Sequence, residues 1–143
     1  MSGFNIDSNT DIAQREDAGT VVHLRDATGE LQFIGEGDAK RPVTITVAGT
    51  YSSVYRKADA EQNTKLYSRR RTNLQPEELS KIAARQRLEL VAACVLGWHG
   101  IVSGATEVPC TKDNVIMLLD RFPWVLQALE AAMQDHAAFF PQS

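Results

Sequence analysis

Cysteine is scarce in this sequence: Cys94 and Cys110 are the whole complement of a 143-residue chain. Two are too few for a disulfide framework, and no charged, apolar and small-residue series opens the chain as a secretory signal would. The expectation is a cytosolic protein with free thiols. Long apolar runs are missing as well. The longest, Leu90 to Val95, falls far short of the roughly 20 residues that a membrane helix needs, so the chain reads as soluble. A strong charge of either sign is also lacking. The formal net charge is -3 and the sequence pI about 5.6, which gives no global pull toward nucleic acid or anionic membrane. No G-x-x-x-x-G-K-[ST], G-x-G-x-x-G or G-x-S-x-G occurs, so phosphate-cradling loops and the nucleophile elbow have no sequence support.

What is present suits one domain, since 43% apolar content over 143 residues is enough for one core. Residues 1–19 carry Asp7, Asp11, Glu16 and Asp17 against Arg15 alone and read as a flexible acidic arm. Residues 20–50 read as a small antiparallel sheet. Val21 to Arg25 and Leu31 to Gly35 flank Asp26-Ala27-Thr28-Gly29 as a hairpin, and "VTITVAG" alternates with the period of a half-buried third strand.

Residues 51–143 read as helical. Ser52 or Ser53 can cap a helix through "VYRKADAEQNTKLYSRRR", whose apolar positions Tyr55, Ala58 and Leu66 are sparse. Pro76 suits a first helical position, with Glu77 and Glu78 well placed against the dipole. Leu79, Ile82, Ala83, Leu90, Ala93, Cys94 and Trp98 then recur at helical steps, which predicts a helix buried toward its end at Trp98. Thr111 can cap "KDNVIMLLDRF", and Phe122-Pro123 interrupts it, because proline disfavours helical geometry in the residue before it. A last helix starts at Pro123-Trp124 with a stripe of Val125, Leu126, Leu129, Met133 and Ala137. The fold class read from these patterns is α+β, predominantly α, a small N-terminal antiparallel sheet followed by a helical bundle in one domain.

The soft ligands Cys94, His99, Cys110 and His136 match no compact zinc spacing. No family-specific nucleophile signature surrounds Cys110, which reads as a small hydrophobe near a helix start. His99 reads as an imidazole meeting free carbonyls at a helix end. No catalytic, cofactor or metal residues are assigned, and the chain is expected not to be an enzyme. The stretch "GWHGIVSGATEVPCTKDN" reads as a connector: Gly97 and Gly100 let the chain leave a helix, Trp98 anchors the exit and Gly104 serves a turn.

Arg56, Lys57, Lys65, Arg69, Arg70 and Arg71, with Lys81, Arg85 and Arg87, make the middle of an acidic chain locally basic. A solvated helix face accounts for such a run. The aromatic interleaving of single-strand readers is limited to Tyr55 and Tyr67, which does not favour nucleic acid. The other reading is a docking surface for an acidic protein segment, including the N-terminal arm of a neighbouring copy.

The order "LVAACVLGWHGIVSG...EVPCTKDNVIMLLDRFPWVLQALEAAMQDHAAFF" resembles the tail assembly chaperones of long-tailed, siphovirus-like bacteriophages. The likeness rests on Gly97, Trp98, Gly104, Val108, Pro109, Asn114, Leu118, Leu119, Pro123, Phe139 and Phe140, and "GTYSSVYRKADAEQ" extends it back toward Val43. The resemblance implies a non-enzymatic protein of the host cytoplasm, absent from the mature virion. Such a protein binds the tape measure protein, recruits tail tube subunits and self-associates. On it, Arg56, Lys57, Lys65, Arg69, Arg70, Arg71, Phe139 and Phe140 would face partners. Gly97, Trp98, Gly104, Pro109, Pro123 and Trp124 would be structural. Alternatives are a phage-encoded inhibitor of a host protein and a minor structural tail protein.

Overall fold

A computed structural model describes residues 3, 4, 6, 12–69 and 75–140, with the side chains of residues 65–69 excepted. At its centre is β4 (Thr44–Val47), whose alternation buries Ile45 and Val47 completely and leaves Thr44 and Thr46 half-exposed. Two strands flank it antiparallel. On one side β1 (Thr20–His23) sets Val22 opposite Ile45, and on the other β5 (Val95–His99) sets Trp98 opposite the same residue, giving the order β1-β4-β5.

Two ribbons hang from this sheet. β2 (Phe33–Ile34) pairs with β3 (Arg41–Pro42), and β6 (Val102–Ser103) pairs with β7 (Thr106–Glu107). Gly104, φ +62°, supplies the turn of the second ribbon, as its sequence position predicts.

The helices cover one face of the sheet. α3 (Pro76–Cys94), α4 (Lys112–Arg121) and α5 (Pro123–Gln134) bring Leu88, Val91, Leu119, Leu129 and Met133 into one cluster with Ile45 and Val47. Each such side chain contributes about 1.5–3 kcal/mol on burial. Local signals set their starts. Pro76 and Pro123 open their helices, and the Thr111 hydroxyl accepts the Asn114 N–H as an N-cap. Ser52 caps α2 (Ser53–Arg69): its Oγ accepts the Tyr55 N–H at 3.0 Å.

The fold is mixed α and β and mostly helical, with antiparallel sheets, but it is not a sheet followed by a bundle. The helix expected to run to Trp98 stops at Cys94, and the next five residues are the third strand of the sheet. "LVAACVLGW" is apolar on every face, so periodicity does not separate helix from strand. The open edge of β4 decides, since its backbone groups must be paired. Gly97 is therefore a strand residue opposite Thr46 rather than a helix exit, and exposed His99 ends a strand rather than a helix.

The 21–25/31–35 hairpin survives only as an Arg25–Leu31 bridge, because β1 pairs with β4 instead. The buried face of α3 is also different: Leu88, Val91, Ala92 and Cys94 are buried, whereas Leu79 is 47% exposed. Only the second half of this helix reaches the core. Within the expected arm, Ile12–Ala18 forms α1, and Glu16 on it is fully buried.

Candidate partner-binding surfaces

α2 and α3 form a projecting pair. No described residue of Ser53–Thr64 on α2 is buried, nor is any from Pro76 to Arg87 on α3. Where the two helices meet, the seam is polar: Gln62 Nε2 donates to Glu89 Oε2 at 3.0 Å, while Gln62 Oε1 and Gln86 Nε2 are shielded from solvent without a hydrogen-bond partner among the described residues. Such a seam is weakly cohesive, because shielded polar groups without partners lose hydration and gain nothing.

Of the basic residues expected to face partners, Arg56 and Lys57 are exposed on α2. Arg56 also reaches back to donate to the Tyr51 carbonyl at 3.1 Å. Lys65 and Arg69 lie in α2, but their side chains are outside the described set, as are Arg70 and Arg71 entirely.

A groove of about 420 Å³ runs where α3 meets α4 and α5, with Leu88, Leu119 and Leu126 along it and Lys81, Arg85 and Arg87 at its edge. Arg85 pairs with Glu89 at 3.1 Å, and Arg87 makes a bidentate pair with Glu130 that pushes its guanidinium pKa further up. Lys81 has no carboxylate partner among the described residues.

The expected partner role of the C-terminal phenylalanines is corrected in part. Phe139 is 6% exposed, in the 3-10 turn His136–Phe139, and Phe140 is half-buried with Arg15 over its ring. That turn packs on α1, so these rings face their own chain.

The stretch Gly97–Asn114 lines a cleft of about 460 Å³ that includes Trp98, His99 and Cys110. Burial pushes the Cys110 thiol pKa up, the opposite direction to the lowering that activates a cysteine nucleophile. Hydrogen bonds tie the stretch together: Trp98 Nε1 donates to the Val108 carbonyl at 2.8 Å, and Asn114 Nδ2 to the Pro109 carbonyl at 2.9 Å. These bonds hold Trp98 and Pro109 against the neighbouring turn. No cluster of three or more metal-ligating side chains exists among the described residues, and no described helix is long and apolar enough to cross a membrane.

A further cleft of about 340 Å³ lies between the β2–β3 ribbon and the α4–α5 junction, lined by Phe33, Ile34, Val102, Phe122 and Trp124 among others. Trp124, read from sequence as structural, donates Nε1–H to the Arg25 carbonyl at 3.0 Å and remains 37% exposed at the rim. Lys40 lies 4.3 Å from the Phe33 ring centroid and Arg121 5.4 Å from that of Phe122.

Sequence patterns also miss a polar cluster around α1. Glu16 Oε1 accepts the Tyr51 N–H at 2.8 Å, His136 Nδ1–H donates to Glu16 Oε2 at 2.6 Å, and the Tyr51 and His136 rings stack 4.0 Å apart. Asp17 beside it accepts from the Ser53 N–H and hydroxyl, both at 2.8 Å. No local pattern marks these acids, because their partners lie 35 to 120 positions further along the chain.

Comparison with protein-family models, curated proteins and solved structures found no match to this chain.

Proposed function

We propose that this chain is a non-enzymatic tail assembly chaperone of a long-tailed bacteriophage, which binds the tape measure protein and recruits tail tube subunits during tail morphogenesis. The observation that carries this reading is the groove between α3 and α4–α5. Leu126 is half-buried over the core residues Leu88 and Leu119, and Lys81 and Arg85 edge the groove with one acid, Asp120, beside them, a setting that suits an apolar anchor on a helix with acidic flanks. The projecting α2–α3 pair extends that surface beyond the core. Repeated along an extended helix, such contacts are individually weak and displaceable, and their sum comes from multiplicity. The bonds that join Trp98 to Val108 and Asn114 to Pro109 support reading the residues of the family resemblance as architecture rather than chemistry.

The test is a tagged pull-down from phage-producing cells, with mass spectrometry of the eluate and of purified virions, run beside a Lys81→Glu/Arg85→Glu variant. Recovery of a very long helical protein and the tube subunit is expected, reduced by the variant, with the bait missing from virions. Capture of a single host protein instead would make the chain an inhibitor. Retention in virions would make it a structural tail component.

A further inference from the structure

The cleft beneath Trp124 lies apart from the α3 groove, and its chemistry points to a different occupant. Its aromatic walls are cationic at their edges, with Lys40 at Phe33 and Arg121 at Phe122, and Arg25 lines it as well. None of these three cations pairs with a carboxylate among the described residues. The single carboxylate lining the cleft, Asp26, is held by its own turn, accepting from Thr28 and from the Glu30 N–H. An apolar slot whose rim carries three cations against one carboxylate is complementary to a segment carrying apolar anchors beside acids.

The chain itself contains such a segment. Phe4 and Ile6 are each 83% exposed, the most exposed of its large apolar side chains among the described residues. Residues 1–11 also hold Asp7 and Asp11 and no lysine or arginine. We propose that this segment of one copy docks into the cleft of a second copy, with Phe4 and Ile6 entering beside Phe33 and Trp124 and the two aspartates meeting Lys40 and Arg121. The eight Cα steps from Phe4 to Ile12 span at most about 28 Å. Two apolar anchors and two acids make a weak contact. Because the donating segment and the receiving cleft are different surfaces, the contact closes a dimer when two copies exchange segments reciprocally and builds a ring or filament when each copy serves the next.

This inference concerns identical chains and stands whether or not the tail reading does. Purified protein tests it, by sedimentation equilibrium over a range from about 10 μM to about 1 mM, where contacts of this size dissociate. The wild type is expected to associate with rising concentration and to dissociate with added salt. Phe4→Ala/Ile6→Ala, which alters only exposed positions, is expected to shift the midpoint by roughly tenfold or more. Val102→Asp, at a 42% exposed cleft position, should act alike, with Phe33→Ser as a second cleft variant and circular dichroism to verify the fold. A peptide of residues 1–11 should compete. A wild type that stays monomeric throughout, or association that Phe4→Ala/Ile6→Ala leaves unchanged, would overturn the proposal.

Discussion

Glu16 and His136, 120 positions apart in the chain, meet at 2.6 Å, and the Glu16 side chain is wholly out of solvent. The pair joins α1 to the 3-10 turn at His136–Phe139, while the second Glu16 oxygen holds the Tyr51 N–H just ahead of α2. Three remote segments therefore share one carboxylate. Glu16→Ala removes the acceptor of the part-buried Tyr51 N–H and of the His136 imidazole and empties a buried site, so a loss of about 1–3 kcal/mol in unfolding free energy is expected by urea denaturation. His136→Ala should cost less, since its side chain is 31% exposed. A double-mutant cycle should show the two losses to be strongly non-additive; independent effects would mean that the contact contributes little.

Gly49 is where the fold makes room for that carboxylate. A Cβ at this position would fall 2.0 Å from Glu16 Oε1. Gly49→Ala is therefore expected to expel Glu16 from its site and cost about 1–3 kcal/mol. In the Glu16→Ala background the same substitution should be nearly neutral, which chemical denaturation of the four variants would reveal.

Asp17 acts on α2 from outside it. Its carboxyl pKa is held below the usual 3.8, chiefly by the Ser53 hydroxyl, which burial opposes and the Ser53 and Val54 N–H groups reinforce. A carboxylate whose folded-state pKa is lowered stabilises the fold fully above its unfolded value and loses that contribution as pH falls through the folded one. The stability gap between wild type and Asp17→Asn should thus be constant near neutrality and close below pH 3.8. A gap that persisted unchanged in acid would show that the lost contact is not electrostatic.

The two thiols should differ in reactivity. Burial pushes Cys94 from 9.0 up to about 12, and Cys110, which is exposed, is pushed upward as well. Native protein should present one slowly reacting thiol, Cys110, to a disulfide reagent at neutral pH, and the second only on unfolding. The sign for stability follows from the raised value: between 9.0 and about 12 the unfolded chain gives up the Cys94 proton and the folded chain keeps it, so stability falls as pH rises through that window. Cys94→Ala should flatten this alkaline loss, read from urea midpoints at a series of pH values.

What could be read from the sequence was local. Pro76, Thr111 and Pro123 mark helix starts, and Gly104 marks a turn, because each acts on its own backbone within a few residues. The switch from helix to strand after Cys94 was not legible, since it depends on β4 nearly fifty positions earlier. The basic rim at Lys81, Arg85 and Arg87 was visible as composition, but its apolar partner surface from Leu119 and Leu126 was not. Glu16 looked like one acid among several in a polar segment, for its partners lie 35 and 120 positions away. The cleft was hidden for the same reason: Phe33 and Trp124 are joined only through tertiary structure.

The distance in sequence between Glu16 and His136 also sets an order of events during synthesis. The ribosome delivers Glu16 long before His136 exists, so until then the carboxylate has only its Tyr51 contact to take up. Contacts this remote carry a large loop-closure cost and form late. The start of α2 is therefore fastened before the seat of α1 is complete, and that seat closes only when the residues around His136 arrive.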